Sequence, residues 1–509
     1  MAGYVLGPVW AERGLDPRKG RYPLRVEGPV RSAVDRLLPG MSTLTRYVRY
    51  YALYAAFAGH AVDAELAHDE CRRFLRRSEV LLAVASDLHA ASGPGPAHGI
   101  DPIRLGWRAG EDLDLRRVAD DGGSGAVYSP RVWGFWSDYG GPSSALGGTR
   151  DEHRIPRPGR FDCPQEVRAW FEPLFVAAKQ DVVPAAVLDG LTSVGLPSSE
   201  AREVPWLRGL FTATAEGRHF PEDWTPGDRH RRSAFRVLGR AAVLYGHASE
   251  LSWEEAVRST VAYGDGLRSD PVLSGIEEAA GWGGILLRNY SVGAWRRLWA
   301  GMVNQIGADP EREDASADEL CAWLVDQMPD TTVRDFLGEL PATMIEGCPA
   351  EAEREVLRDV DERDALVNVK LLMIGARRHG ELTGVLHKAF MGPSRDYLNP
   401  EWVSVQLQEF RASRMSDFAA RLVNDMLDQA RRVAIAKMRS DDEGRLVVYS
   451  RLHQRNGRYY RTDDEGWGTP DTRVERLADM AGQLGLIHVD AEGRAVVTEI
   501  GQELLEVTG

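Results

Sequence analysis

Helix signals with clear start residues recur over more than half of the chain, from Pro164 to Lys437. Ser316-x-x-Glu319 has the form of a helix capping box, and Asn399-Pro400 supplies an N-cap residue followed by proline at the first helical position. Leu366 to Ala376 is apolar almost all round, which predicts a buried central helix. Because strand patterns are nearly absent from this stretch, the sequence predicts a mainly α protein.

The N-terminal part also carries helical patterns. Apolar and basic residues recur at helical spacing from Val30 to Ala61, broken by Pro39-Gly40, which predicts two helices joined by a turn. Neither Gly nor Pro interrupts the 28 residues from Asp63 to Ala90, which predicts one long helix. Between residues 93 and 160 the chain is rich in Gly, Pro and Asp and contains many aromatic residues, so we expect irregular, ordered loops there.

The last seventy residues differ in character. Two strands, Arg445 to Leu452 and Arg458 to Arg461, are expected around an Asn456-Gly457 turn. A helix over Thr472 to Leu484, a strand–turn–strand and a closing helix capped by Thr498 then follow in order. This order resembles a winged-helix domain. Winged helices serve both as DNA readers and as protein-docking modules, so the resemblance implies a fold more than an activity.

The expected fold class is therefore mainly α: a multi-helical body with a loop-rich insert and a C-terminal winged-helix-like α+β domain. Four consecutive regions are expected: an N-terminal helical region at 1–92, a loop-rich aromatic insert at 93–160, a helical body at 161–438 and the winged-helix-like domain at 439–509.

The sequence lacks the motifs of several function classes. It contains no Gly-Lys-Ser/Thr phosphate loop, no His-Glu-x-x-His, no Gly-x-Ser-x-Gly and no Cys-x-x-Cys pair among its four cysteines. We therefore expect no catalytic residues, no metal and no cofactor. With neither a long apolar run nor a signal-peptide pattern, the chain is expected to be cytoplasmic and without membrane contact.

Charge is distributed unevenly along a chain whose net charge is −14. The first 60 residues hold nine Arg or Lys against four Asp or Glu, whereas residues 440 to 509 hold eight Arg against fourteen acids. Phosphate attraction follows local charge, so the N-terminal Arg31, Arg36, Arg46 and Arg49 are predicted to bind an anionic partner. The alternative is that these arginines fringe a buried, tyrosine-rich helix pair. The winged-helix resemblance nominates a different set: Arg473, Arg476 and Arg494.

Three short segments resemble parts of uncharacterised bacterial proteins found in phage-defence loci. They are the stretch from Leu38 to Tyr51 with its Pro-Gly turn and Arg-x-x-Arg-Tyr-Tyr helix, Tyr139-Gly-Gly-x-x-x-x-Leu-Gly, and Gly485-Leu-Ile. The resemblance implies a genomic context and carries no catalytic motif.

We therefore expect a non-catalytic subunit of a bacterial multi-protein system for antiphage defence, which binds partner proteins of that system and also DNA or RNA. Two alternatives remain open: a winged-helix DNA-binding transcriptional regulator, and a metal-dependent enzyme whose acidic site is assembled only in the fold. The sequence does not indicate the oligomeric state.

Overall fold

The computed structural model describes residues 15–89, 97–120, 127–196, 198, 200–248, 250–308, 313–392, 397–442 and 444–508. The protein is 56% helical and 9% strand, which confirms the prediction of a mainly α fold. Within these ranges, no helix combines the length and the apolar character that crossing a lipid bilayer requires.

Helices and short strands alternate along the described chain. The α-helices are α1 Gly28–Leu37, α2 Val48–Asp63, α3 His68–His89, α4 Ile100–Arg104, α5 Leu115–Val118, α6 Trp136–Leu146, α7 Gln165–Ala178, α8 Ala185–Gly190, α9 Val204–Thr212, α10 Pro226–Tyr245, α11 Trp253–Val261, α12 Gly266–Ser269, α13 Ala279–Asn304, α14 Ala317–Val325, α15 Val333–Glu339, α16 Ala352–Leu357, α17 Ala365–Glu381, α18 Gly384–Met391, α19 Pro400–Glu409, α20 Met415–Lys437, α21 Val474–Gln483 and α22 Glu499–Leu505. The strands are β1 Leu15–Arg18, β2 Leu113–Asp114, β3 Thr149–Glu152, β4 Ile155–Pro158, β5 Val182–Val183, β6 Asp314–Ala315, β7 Met344–Ile345, β8 Cys348–Pro349, β9 Arg439–Ser440, β10 Leu446–Tyr449, β11 Leu452–Arg455, β12 Arg458–Arg461, β13 Ile487–Val489 and β14 Ala495–Val497.

The chain forms two compact units, each assembled from separate stretches of sequence. The first unit takes the described residues of Met1–Val34, Arg258–Ser274 and Ala279–Thr472. The second takes those of Asp35–Val257, Gly275–Glu278 and Arg473–Gly509. The four consecutive regions expected from sequence do not coincide with these units. Composition marks where loops lie, but it does not tell which distant segments pack together.

In the first unit, α13 is the central helix and is buried along nearly its whole length. It packs against α17 and α18. At Gly283 an added Cβ would lie 2.3 Å from Val261 O, and at Gly284 it would lie 2.4 Å from Leu386 O, so glycine is required for this close approach. The predicted buried helix over Leu366 to Ala376 is confirmed as the apolar part of α17.

Two three-stranded sheets of the first unit correct the predicted C-terminal hairpin. Its first strand is split at Ser450, whose Oγ donates to Leu452 O at 2.6 Å. The segment before the break, β10, pairs in parallel with β1 and antiparallel with β9. The segment after it, β11, pairs with β12 around the predicted Asn456-Gly457 turn, and β12 also pairs with β6. A local side-chain-to-backbone hydrogen bond thus competes with a continuous strand.

The predicted N-terminal helices are confirmed as α1, α2 and α3. Of these, α2 and α3 belong to the second unit, whereas most of α1 belongs to the first. Both α2 and α3 pack against α7.

The prediction of irregular loops in the insert at residues 93–160 is largely wrong in the parts described. The insert contains the helices α4, α5 and α6 and the β3–β4 hairpin, while its residues 93–96 and 121–126 lie outside the described ranges. Its aromatic residues Tyr128, Trp136 and Tyr139 are buried, and burial of aromatic area stabilises helices whose own propensity is weak.

The C-terminal helix, hairpin and helix lie where the sequence predicts them, as α21, β13–β14 and α22. Thr498 caps α22 by accepting a hydrogen bond from Gly501 N. The range 439–509 is nevertheless divided between the units at Thr472, and all three C-terminal elements pack against α10, which is more than two hundred residues away in sequence. The winged-helix domain is therefore not confirmed as a separate fold.

A partly buried histidine in the second unit makes the stability of that unit depend on pH. His98 is surrounded by Tyr47, Tyr50, Phe135 and Tyr139, and its Nε2 lies 3.3 Å from Tyr139 Oη. Burial, with a further contribution from the nearby Arg46 and Arg476, lowers the pKa of His98 from 6.5 to about 4. The imidazole is thus neutral in the folded state at pH values where the unfolded chain is already protonated.

Lowering the pH from 7 to 4.5 is therefore expected to destabilise the second unit by about 2 kcal/mol through this residue. The contribution of His98 to the free energy of unfolding is fully present above its unfolded-state pKa of 6.5. It is lost as the pH falls toward its folded-state pKa of about 4. In His98→Phe the loss of stability between pH 7 and 4.5 should be smaller by that amount, measured by urea unfolding at both pH values. An equal loss in wild type and variant would contradict the prediction.

Candidate anion-binding site

Of the four N-terminal arginines expected to form a binding surface, Arg49 has only 5% of its area exposed. Its Nε donates to Glu203 Oε1 at 2.7 Å, and its guanidinium lies over the Trp170 ring. Because a buried, paired guanidinium has little capacity left for a partner, this placement corrects the expectation for Arg49. It agrees with the alternative of arginines beside a buried tyrosine-rich helix.

The other three are exposed, but they belong to different units. Arg36 and Arg46 lie in the second unit, where Arg36 Nη1 is 3.3 Å from Glu278 Oε1. Arg31 lies in the first unit, in a basic cleft of that unit. A charge count over 60 residues cannot separate side chains that fold into different units.

The three C-terminal arginines nominated by the winged-helix resemblance are all engaged in ion pairs. Arg473 pairs with Asp35, Arg476 with Asp479, and Arg494 with Asp490. These carboxylates offset much of the positive charge that a phosphate would need, as the acidic balance of this part of the chain leads us to expect.

Two strongly basic segments meet in the first unit. Residues 18–31 carry five Arg or Lys against one Glu, and residues 431–439 at the end of α20 carry four Arg or Lys and no acid. Each segment therefore has a net charge of +4 in a chain of net charge −14. Hydrogen bonds hold them together, since Lys437 Nζ donates to Tyr22 O at 3.1 Å and Gln429 Nε2 donates to Leu24 O at 3.0 Å.

The N-terminal segment turns sharply where it contacts α20. Tyr22 and Arg25 adopt positive φ values of 57° and 58°, a region that residues with side chains rarely occupy. Such conformations persist only where the surrounding structure fixes them, and they are frequent at binding sites. The contacts from Lys437 and Gln429 supply that fixation here.

The two segments line a cavity of about 640 Å³, which we call the outer cleft. Its walls carry four cations, Arg25, Arg31, Arg432 and Lys437, and two tyrosine rings, Tyr22 and Tyr397. The Arg31 guanidinium lies 4.5 Å from the centre of the Tyr22 ring, and that of Arg432 lies 4.3 Å from the centre of the Tyr397 ring. Burial lowers the pKa of Lys437, which the neighbouring Glu27 opposes. The outer cleft therefore combines concentrated positive charge with aromatic surface.

A second cavity of about 280 Å³, the inner cavity, shares Tyr22 and Glu27 with the outer cleft. Its walls also carry Arg296, Arg451, Glu465 and Trp299. Glu27 is 2% exposed, and its Oε1 lies 3.6 Å from Arg296 Nε. Burial raises the pKa of the Glu27 carboxyl and also that of Glu465. The inner cavity is thus a polar chamber whose carboxylates are costly to keep ionised without a partner.

Arg31 is the residue of the outer cleft that was predicted from the sequence. Arg432 and Lys437 were not predicted as binding residues, because the helix that carries them shows a clear apolar stripe that predicts packing. The available signal was Arg431-Arg432-x-x-x-x-Lys437-x-Arg439, four cations in nine residues with no acid. The partner segment at residues 18–31 precedes it by about four hundred residues, so only the fold brings the two together.

No group of three or more His, Cys, Asp or Glu side chains among the described residues is placed to hold a metal ion. Comparisons with protein-family models, with curated proteins and with solved structures find no match to this chain. A function must therefore be argued from the two cavities themselves.

Proposed function

We propose that this protein binds single-stranded nucleic acid through the outer cleft, as a non-catalytic subunit of a multi-protein system. The observation that carries the proposal is the meeting of two segments of net charge +4 beside the rings of Tyr22 and Tyr397, in a chain of net charge −14. Proteins that bind single strands combine a positive groove for the phosphates with aromatic rings on which bases stack. Because the rest of the chain has a net negative charge, it attracts phosphate less on average than this site does.

The proposal also includes the multi-protein system to which this subunit belongs. The segments that resemble proteins of phage-defence loci support a role beside other subunits in antiphage defence. Co-purification with the products of neighbouring genes tests this part: we expect a stable complex, and recovery of the chain alone would count against it.

Removing two cations from the outer cleft tests the binding proposal. The double variant Arg31→Gln and Arg432→Gln should bind a fluorescent 20-nucleotide single strand about 30-fold more weakly, because each arginine contributes one phosphate contact. The slope of log affinity against log salt should also become shallower, by about 0.7 per lost contact. Anisotropy titrations between 50 and 300 mM salt measure both quantities.

The matched control is Arg46→Gln with Arg494→Gln, which removes two exposed arginines outside the cleft. This control changes the net charge equally and should leave affinity and salt slope nearly unchanged. If affinity is instead lost on changing Arg473, Arg476 and Arg494, the winged-helix regulator is the better hypothesis. Absence of binding by the wild-type protein would refute both.

A further inference from the structure

The inner cavity contains a buried acceptor that no described residue satisfies. Glu27 lines this cavity, and its buried Oε2 accepts no hydrogen bond from the described part of the chain. The second carboxylate, Glu465, is held on one side, because its Oε2 accepts from Arg451 Nη1 at 3.0 Å, while its Oε1 also lacks a hydrogen-bond partner among the described residues. A buried carboxylate oxygen left without a donor is strongly unfavourable, so Glu27 is a site that a ligand with N–H groups would stabilise.

The charges around Glu27 restrict what that ligand can be. Seven cations line the two cavities, Arg21, Arg25, Arg31, Arg296, Arg432, Lys437 and Arg451, against two carboxylates. A cationic ligand, such as an amine or a metal ion, would be repelled by this excess. The ligand must therefore carry negative charge at one end and neutral N–H donors at the other. A nucleotide satisfies both conditions, with its phosphate in the outer cleft and its base in the inner cavity.

Among the common bases, guanine matches a carboxylate best. Its N1–H and N2 amino group lie side by side on the Watson–Crick edge and can donate together to the two oxygens of one carboxylate, which only accepts. Adenine and cytosine place a ring acceptor beside their amino group, and uracil places its single N–H between two carbonyls. The guanine O6 is an acceptor next to N1, and Arg296 and Arg451 are the donors on the same cavity walls.

We propose that the inner cavity binds the guanine base of a nucleotide, free or within a strand, with the Glu27 carboxylate accepting from N1–H and the N2 amino group. This inference rests on the proposed function, because the outer cleft must take the attached phosphate. A cavity of about 280 Å³ has the size of a small-ligand pocket and suits a single base with part of its sugar.

Calorimetric titration of the full chain with 5′-mononucleotides tests the proposal. Guanosine monophosphate should bind about tenfold or more tightly than adenosine monophosphate, since a bidentate pair discriminates by that order. Inosine monophosphate, which lacks the N2 amino group, should lose most of this preference. Glu27→Gln should abolish the guanine preference and leave adenosine monophosphate binding unchanged, whereas Glu355→Gln, at an exposed glutamate of the same unit, should keep the preference.

Equal binding of the guanine, inosine and adenine nucleotides by the wild-type protein would overturn the proposal without any variant, so it stays testable if Glu27→Gln fails to fold. Survival of the preference in a folded Glu27→Gln protein would also overturn it. An oligo(dT) strand and the same strand with one internal guanine separate the two proposals. Equal, salt-dependent binding of both strands would refute the guanine site and leave the proposed function intact, whereas no binding of either would refute both.

Discussion

Replacing Glu79 with leucine should lower the free energy of unfolding of the second unit by about 4 kcal/mol. Glu79 is fully buried in α3, where its Oε1 accepts from Tyr54 Oη at 2.7 Å and its Oε2 accepts from Tyr128 Oη at 2.6 Å. The backbone N–H groups of Phe135 and Trp136 each donate to it at 2.9 Å. Leucine fills the space but leaves four buried donors without an acceptor.

Urea unfolding and hydrogen exchange of peptides from α3 measure this loss. Glu79→Gln should be intermediate, because its amide keeps one acceptor oxygen but brings two donors to a site built from donors. Glu222→Leu removes an exposed glutamate of the same unit and should change stability by less than about 0.5 kcal/mol. Unchanged exchange in α3 of Glu79→Leu would refute the prediction.

Arg378→Met should destabilise the first unit by a similar amount, about 4 kcal/mol, because it leaves the carboxylate of Glu353 buried and unpaired. Arg378 and Glu353 are buried and form a bidentate pair, with Nε to Oε1 at 2.8 Å and Nη2 to Oε2 at 2.7 Å. The guanidinium also donates to Thr343 O at 2.8 Å and to Ala350 O at 2.6 Å. One side chain thus joins α16, α17 and the β7–β8 region.

The double variant Arg378→Met with Glu353→Leu separates two causes of destabilisation: loss of the ion pair and burial of an unpaired charge. It should recover part of the lost stability, since replacing both partners of a buried pair by apolar residues costs less than removing one. Recovery should be incomplete because the two carbonyls still lack their donor. Arg358→Met, at an exposed arginine of the same unit, is the control and should be nearly neutral. A double variant no more stable than Arg378→Met would contradict this account.

Sequence reasoning succeeded where the determinants were local. The Ser316 capping box at α14 and the Asn399-Pro400 start of α19 depend on residues within one turn, and both are confirmed. It failed where distant residues decide the outcome. The burial of Arg49 depends on Glu203, which is 154 positions away, and no local sequence pattern predicts that ion pair.

The candidate site follows the same rule. A charge count over the sequence identifies Arg31, but the outer cleft is also lined by Lys437, which donates a hydrogen bond to the backbone of Tyr22, 415 positions earlier. The aromatic insert shows the opposite error: its Gly and Pro content indicated loops, while burial of Trp136 and Tyr139 stabilises helix α6 despite that content. Burial and long-range pairing are properties of the fold that a single sequence does not display.

The pairing of β1 with β10 has a consequence for the order in which the protein is made. Strand Leu15–Arg18 emerges from the ribosome well before its partner Leu446–Tyr449, which is synthesised more than four hundred residues later. The second basic segment, 431–439, emerges only shortly before that partner. A prematurely terminated product that ends before it has no outer cleft. Under the proposed function, a product that ends before residue 431 cannot compete for the ligand.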